Sequence, residues 1–329
     1  KVRFLNWKKT TAPNQANLPG GLYWSDGQAT VIGRIDPATD IIHNMGGNQI
    51  DASLAPTTFG STQFLGLRHG EMAGGPFAFD NNGLIIFGTS QQLVYKVNAD
   101  LSISGFLAGA SAGLHTASDG DTATDYKPTT YGYYGGWVID DNGNFYTRST
   151  NTYHRFGGIH RVNGSDGKIY KILGDGATNV VSADSSGTAL NTVSAYSGIS
   201  AIGYASMYLQ FDNDATTPRL LFHEKETIRY IENPDSGIPT ELGTLLNDTW
   251  GGSMGHFLWE ESTGKIYYLK SGALRCYDTT FTDGTCNKTS IAFPASLNDT
   301  FALYGLTMDE SGNIYVLSSS SRLIYKYTP

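Results

Sequence analysis

The sequence predicts an all-β protein: a six-bladed β-propeller of four-stranded antiparallel blades, its ring closed by the N-terminal strand. Three observations predict it. A strand signature recurs six times, each copy sits in the same strand–turn–strand cadence, and the composition suits tight turns. The signature reads Ile-Gly-Arg-Ile-Asp at 32–36, Val-Tyr-Lys-Val-Asn at 94–98 and Ile-His-Arg-Val-Asn at 159–163. It returns as Ile-Arg-Tyr-Ile-Glu at 228–232, Leu-Arg-Cys-Tyr-Asp at 274–278 and Ile-Tyr-Lys-Tyr-Thr at 324–328. Positions one and four are aliphatic or tyrosine, and a basic residue stands second or third. A loose repeat of roughly 45–70 residues marks a propeller or solenoid. With 40 glycines, 20 tyrosines and 16% charged residues, the chain is built for short strands. No long segment spaces its apolar residues as a helix would.

Taken in order, Val2–Trp7 alternates like a strand, and 8–19 is loop-like. Gly21–Trp24, the first signature and Ile41–Met45 follow. The second unit runs from Pro76 through the turn Asn81-Asn-Gly83, Leu84–Phe87 and the signature to Ser102–Leu107. The third runs from Gly136 through Asp141-Asn-Gly143 and Phe145–Arg148 to Lys168–Leu173. The fourth has Met207–Phe211, Leu220–Phe222 and Thr240–Leu245. The fifth has Phe257–Trp259 and Ile266–Leu269, and the sixth has Leu306–Asp309 and Ile314–Leu317. Asn-Gly turns suit antiparallel hairpins because Gly and Asn accept positive φ at little cost. Blades are thus expected at 8–47, 76–109, 136–175, 206–246, 255–293 and 302–329. The sixth shows three strands, so Val2–Trp7 is expected to cover its outer edge. The other placement for Val2–Trp7 is as the innermost strand of the first unit.

A chain of 329 residues buries about three-quarters of its unfolded surface, and one repeat domain without a linker is expected. The net charge of -8 argues against nucleic acid, whose phosphates recruit Lys and Arg. No apolar run approaches the roughly 18–20 residues of a membrane span. The sequence opens at Lys1 with no signal segment, as in a processed mature protein or a trimmed chain. Cys276 and Cys286 are placed for a disulfide across one hairpin, which implies an oxidising compartment; two free thiols are the alternative. Sequons stand at Asn163, Asn247, Asn287 and Asn298.

The cadence of hydrophobic strand, Asp-x-x-Gly, Ile-Tyr-Val, then Ile-x-[Arg/Lys]-Val resembles the NHL-type six-bladed propellers. Ala108–Pro128 is similar to that family's Gly…Asp-Gly…Ala-Thr linker between blades. The resemblance spans nearly the whole chain and is strongest in units two, three and six; units four and five depart in their turns and linkers. The family includes protein-, glycan- and nucleic-acid-binding modules and some lyases, so it implies a fold and leaves function open.

Chemistry is expected on the rim that carries the long segments 48–75, 109–135, 149–157, 174–205 and 246–255, since long loops in compact folds tend to be functional. His69, His154, His223 and His256 map to it, with Arg68, Glu71, Tyr153, Arg155, Glu224 and Glu226 around them. Such imidazoles could bind a transition metal (His69, His223, His256). They could also act as acid and base beside Tyr153 and Arg155, or simply hydrogen-bond at strand ends. His43, His115 and His160 read as structural. An aromatic group, Trp24, Tyr126, Tyr131, Tyr134 and Trp250, suits a sugar ring or a protein hot spot. Tyr133 and Trp137 can instead pack between blades. Asp119–Asp125 and Asp212–Asp214 offer oxygen ligands for Ca²⁺ but lack the EF-hand pattern. No nucleophile elbow, zinc-protease or phosphate-loop motif is present.

The sequence therefore points to a secreted or extracytoplasmic recognition propeller that binds a protein or glycan, as a piece of a larger surface assembly and without a required cofactor. The alternative is a propeller enzyme, a polysaccharide lyase or hydrolase, with a histidine-lined funnel.

Overall fold

In the computed structural model the described residues are 2–8, 19–26, 32–46, 77–80, 85–88, 94–97, 103–107, 119–123, 137–149, 158–173, 208–213, 216–224, 227–236, 243–248, 254–280, 282–292, 301–318, 321 and 323–329. Their strands form six antiparallel sheets. The first holds β1 (Val2–Lys8), β2 (Gly21–Asp26), β3 (Ile32–Ile35) and β4 (Ile42–Gly46). The second holds β5 (Phe77–Phe79), β6 (Ile85–Gly88), β7 (Val94–Val97) and β8 (Ile103–Leu107). In the third, β9 (Asp121–Thr122) lies outside β10 (Trp137–Ile139), β11 (Phe145–Ser149), β12 (Gly158–Val162) and β13 (Lys168–Leu173). The fourth holds β14 (Leu209–Asp212), β15 (Arg219–Glu224), β16 (Thr227–Glu232) and β17 (Gly243–Asn247). The fifth holds β18 (Met254–Glu260), β19 (Lys265–Lys270), β20 (Ala273–Asp278) and β21 (Asn287–Ser290). The sixth holds β22 (Phe301–Met308), β23 (Ile314–Ser318) and β24 (Ile324–Tyr327).

Each signature is the third strand of its sheet. The first strands pack in a circle: β1 on β5, β5 on β10, β10 on β14, β14 on β18, β18 on β22, and β22 back on β1. Polar links join them. Asn6 Nδ2 donates to Phe77 O at 3.0 Å, and Thr307 Oγ1 accepts from Trp7 N at 3.0 Å. The Gln210 amide bonds both backbone groups of Trp259.

Two expectations are corrected. Val2–Trp7 does not complete the sixth sheet; it is the innermost strand of the first, paired with β2 from Val2↔Asp26 to Lys8↔Gly21. Alternation marks a strand without naming its partner, and burial decided the placement. Leu5, Trp7, Leu22 and Trp24 share the apolar seam with Leu317 of the sixth sheet. The ring closes there by side-chain packing rather than by a shared ladder. Six equal four-stranded blades are likewise not found: five sheets have four or more strands, and the sixth has three among the described residues.

The recurring Asp-x-x-Gly turn has a physical basis. In Asp140–Tyr146 the carboxylate Oδ1 accepts from the backbone N–H groups of Asn142 and Asn144, while Oδ2 takes the Asn144 amide and the Tyr146 hydroxyl. Asp309–Tyr315 repeats every one of these bonds, through Ser311, Asn313 and Tyr315. The glycine holds φ near +80° in both turns, at Gly143 and Gly312, a conformation that costs glycine little.

Candidate functional site

Strand direction places the β15–β16 turn, the end of β17, the start of β18 and the β19–β20 turn on one rim, the one predicted to carry the long connections. Tyr208, just before β14, organises it. Its carbonyl accepts from His223 N at 3.3 Å, and its ring stacks on His256 with centroids 3.8 Å apart. Tyr208 thus touches two of the four predicted histidines at the seam of the fourth and fifth sheets, His223 through the backbone and His256 through its ring. His256 sits where the β18–β19 register shifts between Met254 and Phe257. His69, Tyr153, His154 and Arg155 lie outside the described residues, as do Tyr126, Tyr131, Tyr134 and Trp250.

Beside them is a buried charge cluster that the sequence did not reveal. Asp248 follows β17 and turns into the fifth sheet. Tyr268 donates to its Oδ2 at 2.8 Å, Lys270 Nζ lies 3.2 Å from Oδ1, and Arg275 Nη1 lies 3.4 Å from Oδ2. Lys270 also donates to the Asp248 carbonyl. Lys270 is 0% and Asp248 1% exposed. Burial pushes the Asp248 carboxyl up, but the Tyr268 bond and the Lys270 and Arg275 charges outweigh it and leave the group below its ordinary range. The Tyr268 phenol is pushed up, first by burial and then by Asp248, so it stays a neutral donor. Asp248 reads as an ordinary loop acid between Asn247 and Thr249; only pairing across the seam distinguishes it. Tyr208 likewise belongs to no motif.

Other predicted residues lie within the sheets where they are described. Trp24 is not on a loop but in β2, facing the sixth sheet and lying so close over Gly33 that a Cβ there would meet its ring at 2.2 Å. Trp137 packs edge-on against Phe145 at 5.5 Å. Asp212 is buried and pairs with Arg219, Asp121–Thr122 form β9, and Asp125 and Asp214 lie outside the described residues. His160 is buried within β12, and His43 is exposed on β4. Among the described residues no group of three or more His, Cys, Asp or Glu is arranged to hold a metal. No helix among them is long and apolar enough to cross a membrane. Cys276 and Cys286 form a disulfide, with Cα atoms 5.1 Å apart.

No protein-family model and no curated protein matches the chain. Solved structures do. A putative gluconolactonase matches with a TM-score of 0.55 and 8% identity, over 98% of this chain and 88% of that one. A chain of the nidogen/laminin complex matches with a TM-score of 0.52 and 13% identity, over 93% and 84%. The β-propeller domain of Myceliophteria thermophila Cps50 (Swd1) matches with a TM-score of 0.51 and 9% identity, over 100% and 96%. At such identities the likeness concerns the fold alone: this chain is an all-β propeller with antiparallel blades.

Proposed function

We propose that the chain is an extracytoplasmic recognition propeller of the NHL type, six-bladed with a three-stranded last blade, that binds a protein or glycan on its long-loop rim. The observation that carries this reading is the Asp248–Lys270–Tyr268 cluster. A buried ion pair is a costly way to gain stability, but it fixes the root of the connection between β17 and β18 rigidly against the next sheet. That connection, residues 248–253, is shorter than the segment 246–255 expected from the sequence. A fixed surface loses less entropy on binding. Tyr126, Tyr131, Tyr134 and Trp250 supply the contact area. The disulfide fits an oxidising compartment, and the nidogen/laminin likeness offers a precedent for a propeller in a protein complex. Arrays of glycans and extracellular proteins, probed with the wild type and with Trp250→Ala and Tyr134→Ala, test it.

The second reading, a propeller enzyme acting on polysaccharide, is favoured by one observation: on one rim Tyr208 bonds the backbone of His223 and stacks on the ring of His256. His69 would join them in a metal-binding version, and Tyr153, His154 and Arg155 in an acid–base version. A stoichiometric transition metal in the purified protein, lost in His256→Ala, would decide for it.

A further inference from the structure

The Asp140 and Asp309 turns make the same internal bonds, but the first also meets a second carboxylate. Asp235, in the turn at 233–236 after β16, reaches across the seam from the fourth sheet to the third. The Tyr146 hydroxyl donates to Asp235 Oδ1 and also lies 3.1 Å from Asp140 Oδ2. Asn144 Nδ2 serves both acids as well, at 2.8 Å from Asp140 Oδ2 and 3.2 Å from Asp235 Oδ1. Asn142 Nδ2 donates to Asp235 Oδ2 at 3.2 Å. In the sixth sheet the Tyr315 hydroxyl bonds Asp309 alone among the described residues.

With both acids ionised, the hydrogens do not suffice. A phenol carries one and a carboxylate none, so Tyr146 can serve only one of its two neighbours. Among the described residues Arg161 is the one cation that bonds the pair. Its Nη1 donates to Pro234 O at 2.9 Å and lies 3.5 Å from Asp235 Oδ1, while its guanidinium stacks on Tyr170 at 5.3 Å. It balances one carboxylate. Asp141, Asp166, Lys168, Glu232 and the paired Asp212 and Arg219 are the other charged groups at this end of the two sheets. None of them hydrogen-bonds Asp140, Tyr146 or Asp235. A proton on Asp140 removes the conflict: its carboxyl donates to the Tyr146 oxygen, and Tyr146 donates to Asp235. Burial and the Asp235 charge both favour that proton.

We propose that Asp140, Tyr146 and Asp235 form a proton-operated latch between the third and fourth sheets. With the proton in place, the turn at 233–236 is bonded to the third sheet and fixes the way into β17. Without it, two like charges face one hydroxyl. Asp140 is 1% exposed and stays, whereas the Asp235 side chain, already 37% exposed, moves to solvent and the turn opens. The far end of β17 is held by Asp248, which accepts its bonds as a carboxylate. Asp140 is raised from its ordinary value and Asp248 lowered. The strand is therefore tied at both ends in a window around the ordinary carboxylate value and loosened at one end on either side of it. The latch does not depend on what the opposite rim binds.

Hydrogen exchange on the full chain, corrected for the intrinsic pH dependence of amide exchange, reads the latch directly. Asn233 N donates to Pro218 O and Ser236 N to Asn233 O, so both amides report on the turn. Their protection should decline progressively as pH rises from about 4 to about 7. The amides of Ser311 and Asn313, in the turn without a second acid, should keep theirs. Asp235→Asn retains an acceptor oxygen for Tyr146 and removes the charge, so its protection should stay level over that range. Asp235→Ala, which has no latch to close, should show the weaker protection at every pH. Level protection in the wild type, an equal decline at Ser311 and Asn313, or a decline that persists in Asp235→Asn overturns the proposal.

Discussion

Lys270 and Asp248 form an ion pair closed to solvent from both sides, with Nζ 3.2 Å from Oδ1, Lys270 in the fifth sheet and Asp248 just past the last strand of the fourth. Removing one partner strands the other charge. Asp248→Asn or Lys270→Met alone should cost about 3–5 kcal/mol, while the double change should recover much of the loss. Urea midpoints of the three variants check this. The Asp248 carboxyl is held below its ordinary value. Its contribution is therefore present above about pH 4 and lost as pH falls through the lower folded value. Asp248→Asn should flatten that acid limb.

Asp140 behaves in the opposite sense. Burial raises its carboxyl, the Asp235 charge raises it further, and bonds from Asn144 and Tyr146 pull part of the way back. Protonation is then favoured in the folded state. Its contribution to stability is greatest in acid and shrinks as pH rises through the folded value. Asp235→Asn should lower the Asp140 titration midpoint, read by carboxyl carbon NMR.

Trp24 and Gly33 offer a steric test. A methyl at Gly33 would meet the indole at 2.2 Å, and Leu5 and Leu317 share the apolar cluster against which that ring packs. Gly33→Ala should cost roughly 1–3 kcal/mol, and Trp24→Leu in the same chain should relieve most of the clash. An indole free to move into solvent as a ligand contact would leave the melting temperature unchanged.

The disulfide joins residues ten apart. Chain entropy predicts a loss of about 2–3 kcal/mol on opening so short a loop. Reductant should lower the urea midpoint of the wild type and leave the Cys276→Ser, Cys286→Ser double variant unmoved.

The third strands were legible because their register repeats: aliphatic at one and four, basic between, and a turn residue after. The Asp140 and Asp309 turns were legible because local bonds fix them. What escaped depends on partners far away in the chain. Val2–Trp7 alternates as well for an outer strand as for an inner one, and the loop-like residues after it hid its pairing with Gly21–Asp26. Trp24 looked like a loop aromatic because the strand pairing that places it in a sheet begins at β1. Asp121–Thr122 looked like acidic linker, although β13 accepts it as a fifth strand. Tyr208 and Asp248 acquire their roles only when the fourth sheet meets the fifth.

The central claim is that the long-loop rim is the working surface. The most direct measurement is retention of the wild type, Trp250→Ala and Tyr134→Ala on arrays of glycans and extracellular proteins, at matched melting temperature. The account predicts at least one ligand held by the wild type and lost tenfold or more in both variants. A ligand held equally by all three, or none held at all, would contradict it.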